Sequence, residues 1–319
     1  MSKRIFVLSI ILLIIALTGC SKGGSKIKEE KFNLDVEGGT IYGTLTLPKG
    51  KEIQSIALIH AGSGPTDRDG NSSIGGDNNS LKMLAEALGD AGIASVRYDK
   101  RGIAESMDLI EKEDDLIFED YINDLNLWVE KLREDSRFNK IYIIGHSEGA
   151  LIGAQSAADS KVDGFISLAG VGFSAYDTLK RQLSVQPKEV TDVTNPILEE
   201  LYNGNTVDNI PQELYSLFRP SVQPYLISWF KYDPVEVYKR IEAPILILQG
   251  DNDVQVTVED AKELHSAKES KLVIIEGMNH ILKNAPRDPQ GNLDTYKDPD
   301  LPLNEELVKE IVEFIRDNL

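Results

Sequence analysis

Ser147 stands at the centre of "IIGHSEGA", residues 143–150, within a Gly-x-Ser-x-Gly pentad. A serine hydroxyl is a weak nucleophile near neutral pH and reacts only when a base takes its proton. The chain contains four histidines that could serve. His146 lies inside the pentad and is expected to point away from Ser147. His60 ends a buried-strand run in "HAGSGP", where the loop matters more than the imidazole. His265 sits mid-helix in "AKELHSA", on the expected surface. His280 lies in "EGMNHIL", directly after the last expected strand, from which it can reach across the sheet's carboxyl edge. His280 is therefore the candidate base. A base also needs a carboxylate to fix its tautomer and stabilise the imidazolium. The segment "LILQGDNDVQV" offers two, Asp251 and Asp253.

Acyl chemistry at Ser147 would further require N–H donors aimed at the developing oxyanion. One is expected from the backbone of Glu148, immediately after the serine. The other is expected from "HAGSGPTDRDGN", with Gly62 as the candidate and Ala61 and Ser63 as neighbouring alternatives. This chemistry needs no cofactor or metal, and "TDRDGN" lacks the ligand spacing of an EF-hand, so it reads as a structural turn.

These residues need a scaffold, and the hydrophobic pattern supplies one. "KFNLDVEGGTIYGTLTLP" alternates as an antiparallel pair around Gly38 and Gly39. Buried-strand runs follow: "IQSIALIH", "IASVRYD", "KIYIIGH", "GFISLAG", "PILILQG" and "KLVIIEG". Helical patterns over 80–90, 116–133, 147–158, 258–266 and 304–317 separate most of them or close the chain. Strands alternating with helices predict an α/β domain, a mostly parallel sheet covered on both faces. Ser147 would then sit on a strand–turn–helix, the context its motif requires. Gly145 and Gly149 would remove side chains where strand and helix pass closely. Residues 171–243 break the alternation, with prolines at 187, 196, 211, 220, 224 and 234 and ten of the chain's 22 aromatic residues. That is too long for a structureless loop, and it reads as a helical cap whose rings serve either its own small core or a ligand. The remainder, 32–170 and 244–319, forms the expected core.

From about Phe32 to Leu319 the chain resembles the α/β-hydrolases, with "GHSEG", "GDNDVQV" and "MNH" at that superfamily's nucleophile, acid and histidine positions. The resemblance carries the order Ser147, then Asp, then His280. Its Gly-x-x-Asp pattern, counted from Gly250, selects Asp253 as the acid and leaves Asp251 to cap the turn. "YDKRG" resembles the superfamily's Asp-x-Arg-Gly turn and implies an Asp99–Arg101 brace. "AGSGPTDRDGN" and "YKDPDLPLNEELV" resemble a bacterial esterase subgroup acting on short- to medium-chain acyl esters. The same triad serves peptidases and thioesterases, and a ligand-binding surface lipoprotein could keep the fold without turnover.

The first residues are of another kind. Lys3 and Arg4 precede an apolar run, Ile5 to Leu17, of export-signal length and too short for a membrane span. "LTGC", ending in Cys20, resembles the bacterial lipobox. It implies cleavage after Gly19, diacylglyceryl attachment to the chain's single cysteine, and an extracytoplasmic, membrane-anchored protein. The polar residues 20–31 read as a tether. A formal charge of −18 opposes binding to phosphate backbones, so nucleic acid is not an expected partner. Two acyl chains suffice for stable anchoring where one is marginal. Cys20→Ser is therefore expected to release the protein into the soluble fraction or leave it unprocessed. Intact mass measurement showing an unmodified Cys20 on the mature wild-type chain would contradict this.

Overall fold

The computed structural model describes residues 26–319; the leader and Cys20 lie outside the described residues. The chain opens with β1 (Ile27–Lys31), a hairpin of β2 (Leu34–Val36) and β3 (Gly39–Ile41), and β4 (Gly43–Pro48). Then come β5 (Ser55–His60), α1 (Ser80–Ala91), β6 (Ala94–Tyr98), α2 (Phe118–Glu134), β7 (Lys140–His146), α3 (Glu148–Asp159) and β8 (Gly164–Leu168). Helices α4 (Ala175–Ser184), α5 (Lys188–Tyr202), α6 (Tyr215–Phe218), α7 (Gln223–Trp229) and α8 (Pro234–Lys239) precede β9 (Ile245–Gly250). The chain closes with α9 (Val258–Ala267), β10 (Lys271–Ile275), α10 (Pro289–Asp294) and α11 (Glu305–Asp317).

Eight strands form one sheet in the order β1-β4-β6-β5-β7-β8-β9-β10. From β6 to β10 all neighbours are parallel, while β4 runs antiparallel to both β1 and β6. Along β5, Ile56 and Leu58 join the core under α2 and α3, and Ala57 and Ile59 join the core under α1 and α11. That alternation is what a sheet buried on both faces requires, since successive side chains point to opposite faces. After β5 the chain crosses to β6 on one side and then returns to β7 on the other. The strand order thus reverses between β5 and β7, and in open parallel sheets the crevice at the carboxyl ends beside such a reversal receives ligands.

Four expectations need correction. The tether expected over 20–31 is too long, because Ile27–Lys31 form a strand paired in full register with β4. "IKEEK" lacks alternation because an edge strand is held by backbone bonds, and its charges discourage further pairing. The hairpin around Gly38 and Gly39 joins β2 and β3 into a separate two-stranded sheet, with β4 released to the main one. The expected cap over 171–243 is not one unit in packing. Ala175, Leu198, Leu201, Phe218 and Phe230 form a core of their own, but Val237 and Tyr238 of α8 belong to the main core. Tyr238 meets Phe165 of β8 edge to face, with ring centroids 5.6 Å apart.

The expected Asp99–Arg101 brace is also absent. Asp99, buried at the end of β6, accepts Arg68 Nη2 at 2.6 Å and the backbone N–H groups of Arg68 (2.8 Å) and Glu105 (3.1 Å). Arg101 instead pairs with the buried Asp124 of α2 through Nε (3.0 Å) and Nη2 (2.6 Å). The chain leaves the strand at Asp99 and turns at Arg101 and Gly102, so Asp99 and Arg101 reach different neighbours. In the turn expected over "TDRDGN", Asp67 accepts the backbone N–H groups of Asp69 and Asn71, each at 2.9 Å. Removing one partner of a buried ion pair leaves an uncompensated charge and typically costs about 3–5 kcal/mol. Arg68→Met is accordingly expected to lower the urea midpoint by an amount equivalent to roughly 3 kcal/mol at unchanged m-value. A midpoint equal to wild type would show that Asp99 does not depend on Arg68.

Candidate active site

Ser147 joins β7 to α3 with φ 57° and ψ −124°, a left-handed backbone that non-glycine residues rarely adopt. Its N–H donates to the Leu168 carbonyl at the end of β8 (2.9 Å), and its own carbonyl accepts from Ala150 (2.9 Å). The turn closes because two side chains are missing. A Cβ on Gly145 would lie 2.6 Å from Ala150 Cα and would strike the Gly149 carbonyl. A Cβ on Gly149 would lie 2.5 Å from the Ala61 carbonyl oxygen and 2.8 Å from the His60 ring. The strand and helix can therefore cross closely enough to force the serine outward.

His280 comes from the loop after β10. Its Nε2 lies 3.1 Å from Ser147 Oγ and its Nδ1 lies 2.8 Å from Asp253 Oδ2. The other Asp253 oxygen accepts the backbone N–H groups of Gln255 (2.8 Å) and Val256 (3.0 Å), and Gln249 Nε2 lies 3.2 Å from Oδ2. Burial works against the Asp253 charge, yet the His280 ring and these donors hold its carboxyl below the usual carboxylate range. Asp251, two residues earlier, stands apart from this chain. It accepts from Gly277 N–H (2.7 Å) and Arg287 Nη2 (2.8 Å), and Arg287 lowers its pKa.

The remaining histidines are engaged elsewhere. His146 turns away from Ser147 and donates Nε2–H to the His280 carbonyl at 2.8 Å, with its ring centroid 4.9 Å from that of His280. Burial, reinforced by the His280 ring, pushes its pKa down to about 4, so it is neutral and fixes the loop rather than exchanging protons. His60 is buried against the Tyr98 hydroxyl (2.6 Å), and burial drives its pKa well down. His265 is exposed and lies 2.9 Å from Ser270 Oγ.

The two expected N–H donors flank the serine. Glu148 is the first residue of α3, where N–H groups have no partner within the helix and the helix dipole favours negative charge. Gly62 approaches from the loop after β5, so closely that a Cβ there would lie 3.1 Å from Ser147 Cβ. A cleft of about 490 Å³ opens beside Glu148, within the range that holds a small molecule. Its walls include Ile103, Ile110, Leu116 and Val222, with Ile74 and Met107 exposed at the rim.

Sequence reasoning missed the polar side of this cleft. Tyr225 of α7 donates to Glu148 Oε1 at 2.6 Å, tying the segment between β8 and β9 to the residue beside Ser147. Burial raises the Glu148 pKa, partly offset by Lys100 and Tyr225. Lys100 is itself buried, with Nζ on the carbonyls of Gly62 and Gly64. The cap aromatics divide accordingly: Tyr176, Phe218 and Phe230 fill the small core, while Tyr225 lines the cleft. The one available signal was a lysine directly after a buried strand in "RYDKRG", a place where a charge must find partners inside.

This sheet order, its flanking helices and the serine elbow define an α/β-hydrolase fold. The family described as "Serine aminopeptidase, S33" matches residues 75–216, which include Ser147. Esterase EstD of Thermotoga maritima is 30% identical over 267 residues, covering 80% of this chain, while the chain spans 60% of that protein's length. Among solved structures, Est1E from Butyrivibrio proteoclasticus with ferulic acid bound has a TM-score of 0.62 at 19% identity, covering 90% of this chain and 98% of that one. The α/β-hydrolase GrgF from Penicillium sp. sh18 has a TM-score of 0.60 at 20% identity, covering 92% and 98%. The chain is an α/β-hydrolase by fold.

Gly149→Ala tests the elbow. The added methyl meets backbone and a buried ring, neither of which can swing aside, so a loss of about 1–3 kcal/mol is expected. It would appear as a lowered melting temperature, and an unchanged one would mean that the close crossing is not a constraint.

Proposed function

We propose that this protein is a serine carboxylesterase that hydrolyses short- to medium-chain acyl esters through an acyl-enzyme intermediate. The observation that carries the reading is the continuous chain from Asp253 through His280 to Ser147 Oγ, with both links at hydrogen-bonding distance. In this mechanism His280 Nε2 takes the Ser147 proton as Oγ attacks the ester carbonyl. Asp253 holds Nδ1–H and stabilises the imidazolium. The N–H groups of Glu148 and Gly62 receive the oxyanion. His280 then protonates the departing alkoxide, and a water molecule, activated by the same imidazole, releases the acid and restores Ser147. The apolar cleft walls suit a short or medium acyl chain, and the likeness to proteins named as esterases supports the reading.

A peptidase on the same residues is the second reading. It is favoured by the buried Glu148 carboxylate in the cleft, which could receive a substrate ammonium, and by the family match. Parallel assays on p-nitrophenyl esters of graded chain length and on aminoacyl anilides distinguish the two. We also propose that Cys20 carries the lipid anchor implied by its lipobox, which would place the catalytic domain outside the cytoplasmic membrane with the polar, lysine-bearing tether residues between them.

Members of a triad act as a unit, so Ser147→Ala and His280→Ala combined should be little worse than either alone. Asp253→Asn should lower kcat by up to about ten-thousandfold, because His280 then takes the wrong tautomer. Asp251→Asn should retain turnover and cost on the order of 1 kcal/mol of stability. Both aspartate variants are to be compared by kcat and thermal denaturation. Loss of turnover in folded Asp251→Asn with activity kept in Asp253→Asn would reverse the assignment.

A further inference from the structure

Lys100 is 1% exposed, and among the described residues no carboxylate lies within 4.0 Å of its ammonium. A buried cation without an ion pair needs another use for its donors. Two of them go to one loop. Nζ donates to the carbonyl oxygens of Gly62 and Gly64 (3.2 Å to the latter), and it faces the Tyr121 ring at 5.4 Å from the centroid. Both carbonyls belong to the segment after β5 that also brings Gly62 against Ser147 Cβ. The held Gly62 carbonyl fixes the plane of the Gly62–Ser63 peptide, and the Gly62 N–H, which belongs to the preceding Ala61–Gly62 peptide, is then set only by the Gly62 backbone between the two. Gly64 has φ 67°, and three of the five residues 60–64 are Ala or Gly; within the loop Thr66 donates its N–H to the Gly64 carbonyl (2.8 Å) and its hydroxyl to the Ser63 carbonyl (2.9 Å), which leaves the Gly62 carbonyl to Lys100.

We propose that Lys100 is a positioning residue for the oxyanion site: by clamping the Gly62 and Gly64 carbonyls it holds the Gly62 N–H in line with Ser147, and its charge favours the anion that forms there. The proposal rests on the serine-hydrolase reading above. Lys100 does not touch the reacting atoms and acts through the loop. Burial lowers the Lys100 pKa, and the charge of Glu148 works in the opposite direction. The position follows from the strand. Lys100 lies two residues beyond Tyr98, the last residue of β6, and β6 neighbours β5, which carries the loop.

Preorganised N–H donors matter in the transition state rather than in substrate binding, and loss of one typically costs about a hundredfold in kcat or more. Lys100→Met, nearly isosteric with the ammonium removed, should therefore lower kcat for p-nitrophenyl butyrate by about a hundredfold, with KM changed by less than about twofold. Affinity for a trifluoromethyl ketone, which forms an oxyanion adduct at the serine, should fall by the same factor. Lys100→Gln, whose amide can still donate to one carbonyl, should be intermediate, and it carries the test if the methionine variant does not fold. A purely structural role would lower the melting temperature and raise KM without this match between kcat and inhibitor affinity. Wild-type kcat in the folded variants, or a loss confined to KM, would overturn the proposal while leaving the esterase reading intact. A wild-type protein with neither ester turnover nor fluorophosphonate labelling at Ser147 would remove that reading, and this proposal would fall with it.

Discussion

The close crossing of β7 and α3 is the constraint on which the rest of the structure depends. Ser147 is held with φ 57°, a conformation that costs about 1–3 kcal/mol and persists only where surroundings over-determine it. Those surroundings are identifiable. Gly145 and Gly149 let the backbones approach, and Gly153 continues the same approach against Ile143 and Phe165. The Leu168 carbonyl takes the serine N–H. Because α3 is buried along nearly its whole length, its small residues cannot enlarge without moving the sheet. The elbow therefore fixes the reference point that every other functional group must reach.

Each of those groups arrives by a different route. Asp253 and His280 come from the loops after β9 and β10, and Gly250 at the end of β9 has no room for a side chain against Met278. His146, the residue before Ser147, holds the His280 carbonyl, so the elbow also steadies the imidazole that faces it. On the other flank the loop after β5 is held from below by Lys100. From above, Tyr225 holds the Glu148 carboxylate. His146, Glu148, Lys100 and Asp253, all buried near Ser147, are thus each tied to another polar group or to backbone, as low dielectric surroundings demand.

Much of this was legible in the sequence, for physical reasons. Parallel strands buried on both faces read as unbroken apolar runs, and β5, β7 and β9 stood out on that ground. The Gly-x-Ser-x-Gly pentad and a histidine after the final strand announced the elbow and its partner. β1 was not legible, because "IKEEK" owes its place to backbone pairing at a sheet edge and carries no apolar period. The partners of Asp99 and Arg101 were misread because ion pairs depend on which elements pack together. Neither Arg68 nor Asp124 is near them in sequence. The same limit hid Lys100 and Tyr225. A lysine or tyrosine becomes informative only once the fold shows that it is buried and what it faces.

The central claim is that Ser147 forms a covalent acyl-enzyme. Rapid mixing with p-nitrophenyl butyrate, acid quenching and peptide mass mapping tests it most directly. The account predicts a burst of p-nitrophenol approaching one equivalent per chain whenever deacylation is the slower step. It also predicts a butyryl adduct on the peptide that carries Ser147. Ester turnover with no acyl adduct on Ser147, or with the adduct on another residue, would contradict it.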